Sequence, residues 1–334
     1  MRLRAELLAL ALAIPLAGCE TLGYYAQAID GHVALMAKAQ PIAELRAAPD
    51  SSALRRERLA LATSIRAFAS RELQLPDNGT FRSFAEIDGK YVVWNVVAAP
   101  EFSIEAAQSC FLVAGCVSYR GFFAREDAEA HAAARRAQGL DVHLYGVPAY
   151  STLGWFDDPL LSSFIDYPDA QLARLMFHEL AHQVVYLRDD PTFNESFAVA
   201  VEEAGVRRWL AATGRDAMLE QFLAQQARKR EFVALIDGAR ARLAALYAQN
   251  LDEQPKRAAK RAELEALARR YVALKTRWNG FDGYDRFMQA PNNALLASIA
   301  TYTGRLPEFR RLFAEANGDF ALFYARVREV AEAR

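Results

Sequence analysis

Neither sign of charge is in excess in this 334-residue chain, where 40 Lys and Arg face 41 Asp and Glu for a net charge of -1. No basic cluster interleaved with aromatics occurs, which argues against nucleic acid as a partner. Seventeen glycines and twelve prolines leave no room for a long low-complexity linker, and no internal repeat appears at solenoid periods. Cysteine and histidine are scarce, at three and five, so their placement is informative. What is present is a hydrophobic content of 53%, enough to bury a full core as one large domain or two smaller ones.

Arg2 and Arg4 precede an apolar run, Leu7 to Leu16. It falls short of the ~20 residues that cross a bilayer, and small residues follow it, as in a secretory signal peptide. The run closes on Leu16-Ala17-Gly18-Cys19, which resembles the lipobox of bacterial lipoproteins. That resemblance implies cleavage before Cys19, lipidation of Cys19, and a mature chain anchored to a membrane without crossing it. Glu20 after the cysteine, in place of Asp, favours the periplasmic face of the outer membrane. The alternative is an ordinary signal peptide with a later cleavage site. In an exported chain Cys110 and Cys116 read as a disulfide clamping a small loop, worth about 2 kcal/mol. Metal binding is the weaker alternative, because the spacing is not Cys-x-x-Cys and the compartment is oxidising.

The chemistry centres on His178-Glu179-Leu180-Ala181-His182. Two imidazoles four residues apart lie on one helix face, about a turn from each other, and can grip one Zn²⁺ with Glu179 beside the open position. A catalytic zinc needs a third ligand. Tyr186 to Pro191 reads as helix end and turn, and a second helix starting near Thr192 brings Glu195 back toward the histidines. The competing reading of Glu195 is a capping box, Thr192-x-x-Glu195. Glu202 falls two turns from Glu195 on the same face, where it can support a ligand or receive a substrate amine, or can simply be solvated.

In chain order, residues 21 to 75 look helical, with a stop at Pro41 and a second segment at Ser52 to Leu73. Phe81 to Ile87, the Asp88-Gly89 turn and Tyr91 to Val97 read as a hairpin. A strand is expected near Phe111 to Tyr119, a helix over Glu126 to Gln138 closed by Gly139, and a strand over Asp141 to Tyr145. Val147 to Pro159 lies where zinc peptidases place the strand that holds substrate backbone, which makes Tyr150, Ser151 and Thr152 substrate-contact candidates. The alternative there is a turn-rich connection with Trp155 and Phe156 plugging the core. Asp169 is the expected N-cap of a histidine helix running to Leu187. Residues 214 to 278 read as an antiparallel helical hairpin with a weak break at Gln249 to Pro255. Asn292 and Asn293 can cap the next helix or offer amides to a peptide, and Tyr302 can donate to an oxyanion.

These readings divide the chain into a signal peptide (1–18), a helical segment (19–79), a core (80–213), the hairpin (214–278) and a C-terminal part that completes the site (279–334). The expected class is α+β, zincin-like, with a mixed sheet, the histidine helix and a largely helical C-terminal part.

The sequence resembles the predicted aminopeptidases of Gram-negative bacteria, a family of lipoproteins with a gluzincin-like zinc motif. The resemblance runs through Ala17 to Cys19, Cys110 to Arg120, Ala149 to Pro159, His178 to His182, Asn194 to Ala198 and Asn292 to Tyr302. It implies a membrane-anchored zinc peptidase acting on peptides, with His178, His182 and Glu195 as ligands and Glu179 as base. One departure from the usual gluzincin pattern is Val199, four residues after Glu195, in place of the Asp that often orients a zinc histidine. The alternatives are an endopeptidase, or a tethered binding or assembly factor with a vestigial zinc site.

Overall fold

The computed structural model describes residues 23–111 and 115–333. The expected signal peptide and Cys19 lie outside the described residues. A helix, α1, covers residues 23–37. Then follow β1 (Gln40–Pro41), α2 (Ile42–Ala47), α3 (Ala53–Leu73), β2 (Ser83–Ala85), β3 (Val93–Ala99), β4 (Ser109–Phe111), β5 (Gly115–Val117), β6 (Arg120–Phe122), α4 (Arg125–Ala137), β7 (Asp141–Val147) and β8 (Leu160–Leu161). From there the chain is helical: α5 (Asp169–Ala181), α6 (Pro191–Ala212), α7 (Asp216–Tyr247), α8 (Glu253–Arg277), α9 (Asp285–Met288), α10 (Asn293–Thr303), α11 (Leu306–Glu315) and α12 (Phe320–Glu332). Small sheets followed by a largely helical C-terminal half make an α+β fold. No helix among the described residues is long and apolar enough to cross a membrane.

The expected hairpin across Asp88-Gly89 does not form. Gly89 does adopt a positive φ, but β2 pairs with β1 and β8 while β3 lies between β6 and β7 in a separate sheet. The reason is burial of β3 on both faces. Val96 packs with Ala128 and Ala132 of α4 on one side, and Val97 and Ala99 pack with Ala294 of α10 on the other. A strand covered on both faces is an interior strand, and β7 matches it over its whole length, from Val93↔Val147 to Ala99↔Asp141. Three-residue β2 offers much less pairing. The strand expected near Phe111 to Tyr119 is instead the hairpin of β4 and β5, closed by a Cys110–Cys116 disulfide.

The core runs between α5 and α6. Leu172, Met176, Phe177 and Leu180 of α5 meet Phe193, Phe197, Val201 and Val206 of α6, all without solvent exposure. α6 is buried on most sides, its polar residues Asn194, Ser196, Glu202 and Glu203 included. Gly205 allows the close approach, since a Cβ there would sit 2.8 Å from Leu73 Cδ1 and 2.9 Å from Phe177 Cδ2.

Asp169 does not cap α5. Pro168 holds that position, and the Asp169 carboxylate instead accepts from Arg58 and Arg215, each at 2.7 Å. Nor does α5 reach Leu187; His182 is its C-cap. The chain beyond is pinned in turns by the Asn194 amide, which accepts from Leu187 N at 2.7 Å and donates to Leu187 O at 2.8 Å. α7 and α8 pack around Phe232, Ile236, Leu243, Leu267 and Tyr271.

Candidate metal centre

α5 carries His178 and His182 on one face, and α6 brings Glu195 across to them. The two Nε2 atoms lie 3.2 Å apart. Glu195 Oε2 is 3.2 Å from His178 Nε2 and 3.6 Å from His182 Nε2. Ligand atoms from all three residues lie within 4.8 Å of one another, a group that could hold a metal ion. The capping-box reading of Glu195 fails, because Asp190 is the N-cap of α6 and accepts from Phe193 N at 2.8 Å.

The electrostatics of this group favour a cation. Burial alone would push the Glu195 carboxyl up, but His182 and His178 outweigh it and hold Glu195 well below its usual range. Burial likewise lowers His178, yet its bonds to Glu195 and Glu202 prevail and push it up to about 10. Glu202, fully buried, and Glu195, largely shielded, therefore favour a positive charge at His178. Two imidazole nitrogens and a carboxylate oxygen converging on one point are a donor set that suits Zn²⁺.

Glu202 lies behind the triad. Its Oε2 is 3.0 Å from His178 Nδ1 and accepts from Arg174 at 2.9 Å, while Lys229 Nζ stands 3.7 Å from Oε1. The carboxylate is fully buried, which demands such partners. It touches a histidine, so its expected place among substrate contacts is not where it sits. It contacts His178 Nδ1, a contact that Val199, four residues after Glu195, has no polar group to make. The spacing left support of a ligand residue, amine binding and solvation open; burial excludes the last, and the contact with His178 matches the first.

A cavity of about 380 Å³ opens onto the triad and is lined at that end by His178, Glu179, His182, Glu195 and Tyr302. Burial is the main cause raising the Glu179 carboxyl, opposed by His178 and His182. Tyr302 is raised well above the usual phenol range by burial and then by Glu195, so it stays protonated and can donate. Two tyrosines that the sequence did not single out share this environment. Tyr119 lines the cavity and is raised by burial and by Glu195; Tyr145 is raised by burial, with Asn95 and Tyr302 acting to lower it. Asn95, a lone polar residue in the apolar run Val93 to Ala99, was the available signal: it stands directly opposite Tyr145 across β3 and β7.

Other expected contacts divide. Tyr150 and Ser151 line the cavity. Thr152 does not, because its N and Oγ1 donate to Asp158 Oδ2 at 2.7 and 3.0 Å. No substrate-holding strand exists here either: β7 ends at Val147, and turns and bends follow up to Pro159. Trp155 and Phe156 plug no core, being 75% and 54% exposed. Asn292 and Asn293 also lie away from this cavity. Asn292 caps α10 through Leu295 N and donates to Val142 O, and Asn293 joins Tyr247 Oη to the carbonyls of Pro100 and Glu101.

A family described as "Putative aminopeptidase" matches residues 23–334. No curated protein and no solved structure matches the chain.

Proposed function

The chain belongs to the "Putative aminopeptidase" family, and from that membership and the convergence of His178, His182 and Glu195 we propose that it is a zinc-dependent peptidase. The observation that carries the reading is the three-ligand group at the end of a cavity that also holds Glu179. One Zn²⁺ held by these side chains supplies Lewis acidity toward a peptide carbonyl and toward water.

The remaining work falls to the chain. Glu179, its carboxyl raised by burial, takes the proton of the attacking water and passes it to the leaving amine. Protonated Tyr302 donates to the carbonyl oxygen as charge builds there. Glu202 accepts from His178 Nδ1, which leaves the Nε2 lone pair facing Glu195 and His182. Arg174 and Lys229 balance the Glu202 charge.

The family name supports action at a free amino terminus. One observation favours endopeptidase action instead: among the described residues, the carboxylates lining the cavity are Glu179 and Glu195, and both are already assigned to the hydrolytic chemistry. An ammonium needs a carboxylate of its own. Both readings are tested by matched free and N-acetylated peptides, offered to wild type and Glu179→Gln. Glu179→Gln should keep zinc and lose about 10²- to 10⁴-fold in turnover, and unchanged turnover would sink the mechanism. Equal cleavage of both peptide forms supports the endopeptidase, and cleavage of the free form alone supports the aminopeptidase.

The lipobox resemblance at Cys19 and the Cys110–Cys116 disulfide support a lipoprotein on the periplasmic face of the outer membrane. Palmitate labelling should vanish in Cys19→Ala; equal labelling of both chains rules the anchor out.

A further inference from the structure

We propose that the cavity beside the triad is a pocket for one bulky apolar side chain of the substrate, walled by Tyr24, Tyr25, Phe111, Val117, Phe123 and Tyr150. The word substrate rests on the peptidase reading; the side-chain class does not.

These six residues come from separate stretches of chain that the fold locks together. Tyr24 stacks on Phe111 with centroids 5.0 Å apart, and Tyr25 meets the same ring edge-on at 6.3 Å. Phe123 meets Tyr150 edge-on at 5.2 Å. Gln27 holds α1 against the β6 edge, donating to Gly121 O at 3.5 Å and accepting from Phe123 N at 3.2 Å. Gly31 permits this, since any side chain there would collide with the Phe123 ring. Phe111 is fixed by its neighbour, the Cys110–Cys116 disulfide. Cys116 N in turn donates to Asp189 at 2.6 Å, in the turn that joins the two ligand-bearing helices. The pocket wall and the triad are thus one connected unit.

Among the described residues, the carboxylates and histidines lining the cavity, Glu179, Glu195, His178 and His182, are all gathered at the triad end. A charged side chain entering the aromatic end would lose its hydration and find no carboxylate or histidine there, and Arg120, whose guanidinium lies 4.2 Å from the Tyr24 ring centroid, is not among the lining residues. An apolar one would leave water for rings that match it. A volume of about 380 Å³ is at the lower end of the range that holds small ligands, about 300 to 1,000 Å³. It suits one large residue better than a long segment.

The experiment uses C-amidated peptides, each prepared with a free and with an N-acetylated amino terminus, that differ only in one residue: Phe, Leu, Ala, Lys or Asp. Binding is measured by calorimetry on zinc-loaded Glu179→Gln, and cleavage on wild type. Phe and Leu should bind about 10-fold or more tighter than Ala, with Lys and Asp weakest. Phe111→Ala and Tyr24→Ala in the Glu179→Gln background should erase the Phe advantage and leave the Ala peptide within about twofold, the scale of a lost contact that the smaller residue never made. Phe111→Leu, which keeps the hairpin packed, should erase part of it. Equal binding of Phe, Ala and Lys peptides, no binding of any of them, or a Phe advantage that survives all three wall variants, overturns the pocket. A wall-dependent Phe advantage with no cleavage by wild type upholds the pocket and removes the peptidase reading. Cleavage without side-chain preference does the reverse.

Discussion

Glu202 reaches His178 from two turns beyond Glu195, and it does so fully buried between Arg174 and Lys229. A carboxylate at Nδ1 fixes the tautomer and orientation of a ligand histidine, and losing such a partner weakens metal binding by about 10- to 100-fold. Glu202→Ala should therefore lower zinc affinity by that factor in a chelator competition, with Glu202→Gln between it and wild type. Unchanged affinity in folded Glu202→Ala would mean that packing alone holds His178. The same geometry fixes a pH dependence. His178 in the metal-free cluster is pushed up to about 10, so at pH 7 it carries a proton that zinc must displace, and zinc affinity should rise with pH through neutrality. At this scale the histidines and Glu179 were legible from spacing, because a helix dictates which side chains share a face. Glu195 was legible from the turn before it. Tyr145 and Asn95 were not, because they meet only through the register of β3 with β7.

The helices α5 and α6 hold all three ligands, so their approach sets the geometry of the site. Gly205 is a point of close packing, facing Leu73 of α3 and Phe177 of α5. Gly205→Val should cost about 1 to 3 kcal/mol by overpacking and spread the ligands. Gly205→Ala sets a smaller clash against roughly 1 kcal/mol of improved helix propensity, and should lie close to wild type. Urea denaturation measures both, and a Val variant as stable as wild type would show that the helices can part there freely. Elements fixed by local signals, such as α3 and the α4 stop at Gly139, were readable in the sequence. The Asp88-Gly89 hairpin was misread because a turn signal states only that the chain reverses. The choice of partner for β3 was made by β7 and by the helices on its two faces. The strand expected after Val147 rested on its distance from the histidine helix; the turn-rich alternative holds instead, with Trp155 and Phe156 facing solvent and plugging no core.

The whole molecule gathers one cavity from distant parts of the chain: α1 and the disulfide hairpin build its apolar end, α5 and α6 its ligands, and α10 its tyrosine. The family match over residues 23–334 spans every segment that lines the cavity, from Tyr24 to Tyr302. The proposal that joins these parts is that His178, His182 and Glu195 bind the metal on which peptide hydrolysis depends. It is tested most directly by stripping the purified protein with a chelator and titrating Zn²⁺ back while following peptide cleavage. Activity should vanish on stripping and return in full at one zinc per chain, and His182→Ala should not recover. Full turnover in protein holding far less than one zinc per chain, or full recovery by His182→Ala, would contradict it.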